Sequence, residues 1–225
     1  MFNVEVHHIA ISSVRGTITV PIPNYFHPSN FGGVSLNDDW NTTNPSDFTE
    51  VRTFPLDELL PITHKCPSFI KVDIEGMEGE LLTGGGNMLS RCMPVIHMEN
   101  NCMKTSRELI GGIFDIVNDE VEVGEMAEKH VGYSIFWDIH PLYNKDNYNR
   151  NPFDFYEGRF LTINILAVPK KNKEQIRVVK DEVGMTEIPR VLEDGRKPYL
   201  LNEFWFNVGG GQKTFRQQGD FDSCP

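Results

Sequence analysis

Positive charge is scarce in this sequence: 21 Lys and Arg stand against 32 Asp and Glu in 225 residues, a formal net charge of −11. A phosphate backbone demands a basic footprint, and neither the total nor any local Lys/Arg cluster supplies one, so nucleic acid and anionic membrane surfaces are not expected partners. Uninterrupted apolar runs are short as well, none reaching the roughly 18 residues of a membrane-spanning helix, so no membrane insertion is expected. The N-terminus, Met1 to His8, does not place a basic segment before an apolar one. No secretion signal is read there, and the expected location is cytoplasmic. Cys66, Cys92, Cys102 and Cys224 form no C-x-x-C pair, which disfavours a zinc knuckle or redox motif and leaves buried thiols as the expectation. Absent too are G-x-S-x-G, G-x-x-x-x-G-K-[ST], H-E-x-x-H and any G-x-G-x-x-G after a strand. Serine hydrolases, P-loop enzymes and zincins are disfavoured accordingly.

What is present reads as a globular α/β chain, with 39% apolar residues to build a core. Strand patterns are predicted over 4–11, 17–20 and 49–54, with a long Pro-, Asn- and Gly-rich loop at 21–48 and helical turns at 55–60. The centre is clearer. A strand over 69–73 ends in Asp73, a helix from Glu78 is interrupted by Gly84, Gly85 and Gly86, and a strand over 95–98 leads to Glu99. Leu109, Ile110, Ile113, Phe114 and Val117 recur at helical spacing over 105–118, and further strands are predicted over 132–137 and 160–168. Strands alternating with helices imply βαβ units and an open, at least partly parallel sheet. Residues 170–180 read as a charged helical segment, and Gly209 to Gly211 as part of a loosely attached tail.

In such a sheet, ligands bind outside the carboxyl ends of parallel strands. Asp73 and Glu75 mark one end, and His97 and Glu99 the next, each pair sharing a face by alternation. Were the two strands neighbours, about 4.8 Å apart, three carboxylates and an imidazole would converge on one crevice. The alternative is that Asp73 or Glu75 caps the following helix. Oxygen-rich sites also suit magnesium or manganese, so Asp73, Glu75, His97 and Glu99 would serve equally in a metal-dependent hydrolase. His7 and His8 fit a partly buried strand. Asn30 to Gly33 reads as a ligand loop or a simple turn.

The run Phe69-Ile70-Lys71-Val72-Asp73-Ile74-Glu75-Gly76, followed by Glu80-Leu81-Leu82-Thr83-Gly84, resembles the central motif of FkbM-type methyltransferases. The lead-in Leu56 to Leu60, the stretch Pro94 to Glu99, the segments 133–137 and 147–148, and Asn164 to Pro169 resemble that family too, over about residues 4–169. The resemblance implies a Rossmann-like class I methyltransferase fold with a mostly parallel sheet. It also implies S-adenosylmethionine as cofactor and methyl transfer to a hydroxyl of a small-molecule or glycan acceptor. The family's opening V-D-[IV]-G-A-N-[IV]-G strand and turn has no counterpart here. Residues 1–169 are therefore expected to form a partial domain lacking the N-terminal cofactor-binding half, followed by an extension of unknown role at 170–225. By the same resemblance Ala10, Ile11 and Asp73 bind the cofactor, and Asp73, Glu75 and Glu99 are catalytic, with Asp73 or Glu99 accepting a proton. Asn30, Gly32, His97 and His140 touch substrate, and no metal is required. A non-catalytic interaction module is the other expectation for a chain without the glycine loop. Either way, the apolar strand at 69–73 is expected to leave an edge open to self-association.

Overall fold

Burial alternates along the strand Val95–Glu99, with Ile96 and Met98 wholly buried and Val95, His97 and Glu99 partly open. That alternation sets the two faces of the main sheet. The computed structural model describes residues 3–22, 26, 47–59, 65–100, 103–116, 132–141, 161–190, 203–208 and 211–216. The strands are β1 (Ala10–Ile11), β2 (Gly16–Pro21), β3 (Phe48–Phe54), β4 (Phe69–Val72), β5 (Val95–Glu99), β6 (Tyr133–Pro141), β7 (Leu161–Pro169), β8 (Thr186–Ile188), β9 (Glu203–Val208) and β10 (Gly211–Arg216). The helices are α1 (Glu78–Gly84), α2 (Gly86–Cys92), α3 (Met103–Asp115) and α4 (Lys173–Arg177).

The main sheet has the order β4-β5-β7-β6-β8. On one face Val72, Ile96, Met98, Ile135, Ile165 and Ile188 join Leu81, Met88 and Leu89 of α1 and α2 and Leu109, Ile110 and Ile113 of α3 in a single core. Each fully buried Ile or Leu there contributes about 1.5–3 kcal/mol. The other face carries Lys71, His97, Glu99, Asn164, Asp138 and His140, aligned by the registers Lys71↔His97, Glu99↔Asn164 and Asp138↔Asn164. One face therefore holds the fold together while the other is free to carry polar groups.

The expected mostly parallel, Rossmann-like arrangement is not what forms. In the main sheet only β4 and β5 are parallel; β5–β7, β6–β7 and β6–β8 are all antiparallel. Among the described residues no helix lies between β6 and β7. These two strands pair directly along nine residues, and strands that run back on one another form antiparallel ladders. In a second sheet, β1-β3-β2, only β1 and β3 are parallel. The strand expected over 4–11 shrinks to two residues: Val4 and Val6 are exposed and have no core to face. His7, also exposed, pairs with Glu5 at 3.1 Å rather than lying in a core. Beyond residue 170, Ile188 of β8 enters the core, and β9 and β10 form an antiparallel pair joined by residues 209 and 210.

Two devices fix the β4–α1–α2–β5 segment. Cys66 and Cys92 form a disulfide with Cα atoms 5.2 Å apart, which corrects the buried-thiol expectation for these two cysteines; Cys66 is exposed and Cys92 half-buried against the core, and Cys102 and Cys224 fall outside the described residues. Closing a 26-residue separation stabilises by about 3 kcal/mol through the unfolded chain. Such bonds persist in oxidising surroundings, which the cytoplasmic expectation does not anticipate. Asp57 supplies the second device, capping α2 from outside: its Oδ1 accepts from Met88 N at 2.7 Å and its Oδ2 from Asn87 Nδ2 at 2.8 Å. No described helix is long and apolar enough to cross a membrane.

At Gly84 an added Cβ would stand 2.3 Å from the Ser12 carbonyl oxygen and 3.0 Å from Ser13 Cα, so α1 and the β1–β2 connection touch backbone to backbone. Gly79, in the same helix, has nothing within 4 Å of such an atom. Gly84→Ala is expected to cost about 1–3 kcal/mol in urea unfolding. Gly79→Ala should be neutral or stabilising by up to about 1 kcal/mol; equal effects at the two positions would contradict this packing.

Candidate active site at the ends of two parallel strands

The parallel register Lys71↔His97 and Val72↔Met98 brings the next residues, Asp73 and Glu99, side by side. After Asp73 the chain reverses through Glu75 at φ 48 and Gly76 at φ 99. Gly76 adopts this left-handed backbone freely, whereas at Glu75 it costs about 1–2 kcal/mol. Glu78, the first residue of α1, holds the turn: its Oε2 accepts from Gly76 N at 3.1 Å and its Oε1 from Ile74 N at 3.4 Å. The turn's free N–H groups are thus met by Glu78, and no side-chain cap is formed by Met77 at the helix start. Asp73, Glu75 and Glu99 instead present oxygens that all lie within 4.8 Å of one another, a spacing that could hold a cation but that exposed acids also adopt without one.

Three carboxylates so close cannot all ionise cheaply, and each answers differently. Glu99 is pushed up to about 7, first by burial, then by its hydrogen bond to Asp73 and the negative charges of Asp73, Glu75 and Glu78. Asp73 is held below its ordinary value, chiefly by the Lys71 ammonium 2.9 Å away, with the Glu99 hydrogen bond adding to it. Glu75 is raised by burial and by Asp73 and Glu78. The hydrogen bond between two carboxyl groups needs a proton, and these directions leave it on Glu99.

His97 does not join the acids through Nε2. That atom lies 2.7 Å from Asp138 Oδ2, and His140 Nε2 lies 2.6 Å from Asp138 Oδ1. Asp138, buried on β6, is a polar residue that sequence reasoning missed; alternation along Phe136, Asp138 and His140 was the signal that could have found it. The quartet expected for a metal-dependent hydrolase is therefore divided into three acids and a separate His–Asp–His group. Ala10 and Ile11 form β1, paired with Thr53 and Phe54. Beside them Glu80 of α1 accepts from Ser13 N at 3.0 Å and is held low by the Ser13 hydrogen bonds. Asn30 and Gly32 lie outside the described residues. A cavity of about 420 Å³ opens between α1 and α3, lined by Gly76, Glu78, Leu82, Glu108 and Gly112 among others, but by none of the three clustered acids.

The acids crowded at two parallel strand ends, beside a polar sheet face, stand where ligands gather in a domain of mixed α/β build. The family model described as the methyltransferase FkbM domain matches residues 2–129, more than half of the chain, and the chain belongs to that family. By family it is an S-adenosylmethionine-dependent methyltransferase. The extent of the resemblance is corrected: the match lies on residues 2–129, so the likeness expected to run to residue 169 stops short of that, and β6 and β7 lie outside the matched segment. Searches of the curated proteins and of solved structures find no significant match.

Because the folded chain holds the Glu99 proton more tightly than an unfolded chain does, stability from this group is full below its ordinary value of 4.5 and is lost as pH rises through about 7. Asp73, shifted the other way, contributes stability that is lost on acidification below 3.8. The urea midpoint of the wild type is expected to fall between about pH 5 and about pH 8, and that of Glu99→Gln to change much less. Parallel pH profiles for the two proteins would contradict the assignment.

Proposed function

We propose that the chain methylates a hydroxyl of a small-molecule or glycan acceptor, with Glu99 as the general base. The observation that carries this reading is a carboxyl at the end of β5 whose ionisation falls near neutrality, where a base is both available and strong enough to take a hydroxyl proton. Bound S-adenosylmethionine supplies an electrophilic methyl on a sulfonium. The donor set suits that molecule: it carries sulfonium and ammonium charges, and a cluster of acids in a chain of net charge −11 favours cations. Asp73, kept ionised by Lys71, would hold the cofactor together with Ala10 and Ile11. Glu99 would take the acceptor proton onto its carboxylate, while the methyl supplied by the cofactor would exchange its bond to sulfur for one to the acceptor oxygen, leaving a neutral thioether. Glu75, fixed by the turn, orients the acceptor, and Asn30, Gly32, His97 and His140 are its further contacts. Holding the oxygen in line accounts for most of the acceleration.

A cation brought beside Glu99 favours its ionised form, so binding must release protons. At pH 7, calorimetry of the full chain with S-adenosylmethionine in buffers of different ionisation heat is expected to show release of about half a proton per site, and Glu99→Gln to abolish it. Binding without release would remove Glu99 from the site. Methyl transfer is tested with labelled S-adenosylmethionine and a panel of methyl glycosides of glucose, mannose and galactose; a folded protein that transfers to none argues against a glycan acceptor.

We also propose self-association through β4. It is the terminal strand of the main sheet, no described strand pairs with its outer edge, and Phe69 on it is 55% exposed, which offers a ladder to a second copy. Light scattering at high concentration should report dimers or larger species; a monodisperse monomer would contradict this.

A further inference from the structure

The His97–Asp138–His140 group takes no part in the proton transfer above, and Asp138 has no role in it, although all three stand on the same sheet face. Asp138 occupies the same cross-strand row as Glu99, with Asn164 of β7 between them, which sets the two about 10 Å apart. Its side chain is only 10% exposed, so its charge has little help from water and depends on the two rings at 2.7 and 2.6 Å. A carboxylate accepts hydrogen bonds and cannot donate them. Each Nε2 must therefore carry a hydrogen, and in the neutral rings each Nδ1 is left as an acceptor. Of the two rings, His97 is the more enclosed, at 21% against 65%, and it stands two residues before Glu99 on β5.

We propose that Asp138 is a positioning residue: by holding the neutral His97 ring through Nε2–H it sets Nδ1 as the acceptor on the face that bears Glu99, where it receives a second hydroxyl of the methyl acceptor. The reacting hydroxyl gives its proton to Glu99, and the neighbouring one hydrogen-bonds His97 without being transferred. The class of substrate this favours carries at least two hydroxyls within reach of adjacent positions on one strand. Only that last role rests on the methyl-transfer reading; the state of the His97 ring does not.

Nitrogen-15 NMR of the full chain at neutral pH, with His97 assigned through His97→Gln, tests the ring directly. His97 is expected in one limiting form, with a protonated Nε2 and an unprotonated Nδ1, and Asp138→Leu, which removes both acceptors, should replace it by an average of two tautomers. An averaged or Nδ1-protonated ring in the wild type overturns the proposal whatever the variant does. With the methyl glycoside panel, Asp138→Leu should lower kcat by about 10- to 100-fold, a scale taken from the outer partners of metal-ligating histidines, with KM changed less than about threefold. An unchanged kcat in a folded variant overturns the positioning role. If the wild type transfers no methyl while its His97 is in the limiting form, the methyl-transfer reading of the site fails and the hold of Asp138 on the ring stands.

Discussion

The parallel register of β4 on β5 is the constraint from which the site follows. Pairing Lys71 with His97 and Val72 with Met98 leaves Asp73 and Glu99 as the first residues beyond the ladder, at one height and on one face. Two carboxyl groups so placed can share a proton but cannot both be charged at low cost. Lys71, two residues before Asp73 and on the same side of β4, decides which keeps the charge. The ionisation of Glu99 near neutrality thus follows first from its burial and then from the backbone pairing that sets Asp73 beside it, and a one-residue slip would point Glu99 and Asp73 to opposite faces. Several features protect that register. The Cys66–Cys92 disulfide ties the start of β4 to the end of α2, and Asp57 caps α2. Met93 at φ 47 then turns the chain into Pro94 and β5.

The acids at the strand ends were legible in the sequence because they close short apolar runs, a pattern set by period and by the rule that ligands gather at strand carboxyl ends. The helix break at Gly85 and the amphipathic α3 were legible for the same local reasons. Strand direction was not. Whether β7 enters between β5 and β6, and runs against both, depends on partners remote in sequence, and nothing in the periodicity of 160–168 distinguishes a parallel from an antiparallel neighbour. The disulfide escaped for a related reason: a spacing of 26 residues says nothing until the crossover brings Cys66 beside Cys92. At Gly209 to Gly211 the hairpin signal was present, since a two-residue glycine link between β-rich runs favours tight strand reversal, but the absence of a period around it concealed the strands.

Asp138 shows how a long antiparallel pair extends a site made by a short parallel one. The nine-residue ladder of β6 on β7 carries polar side chains two strands away from β5 while keeping them on the same face. His97 then stands between the two groups: its Nε2 is held by Asp138, and it lies two residues before Glu99 on β5. The apolar face packs Ile135 and Trp137, between Phe136, Asp138 and His140, into the helices, so the position of Asp138 is set by the core behind it.

The central claim is that Asp73 and Glu99 titrate as a pair with the proton on Glu99. Carbon-13 NMR of side-chain carboxyl groups through a pH titration of the full chain measures this most directly. The account predicts a Glu99 carboxyl with its midpoint near about 7 and an Asp73 carboxyl already ionised well below that, the two curves being linked so that Asp73→Asn brings Glu99 back toward 4.5. Two independent titrations at ordinary carboxylate values, indifferent to Asp73→Asn, would contradict it.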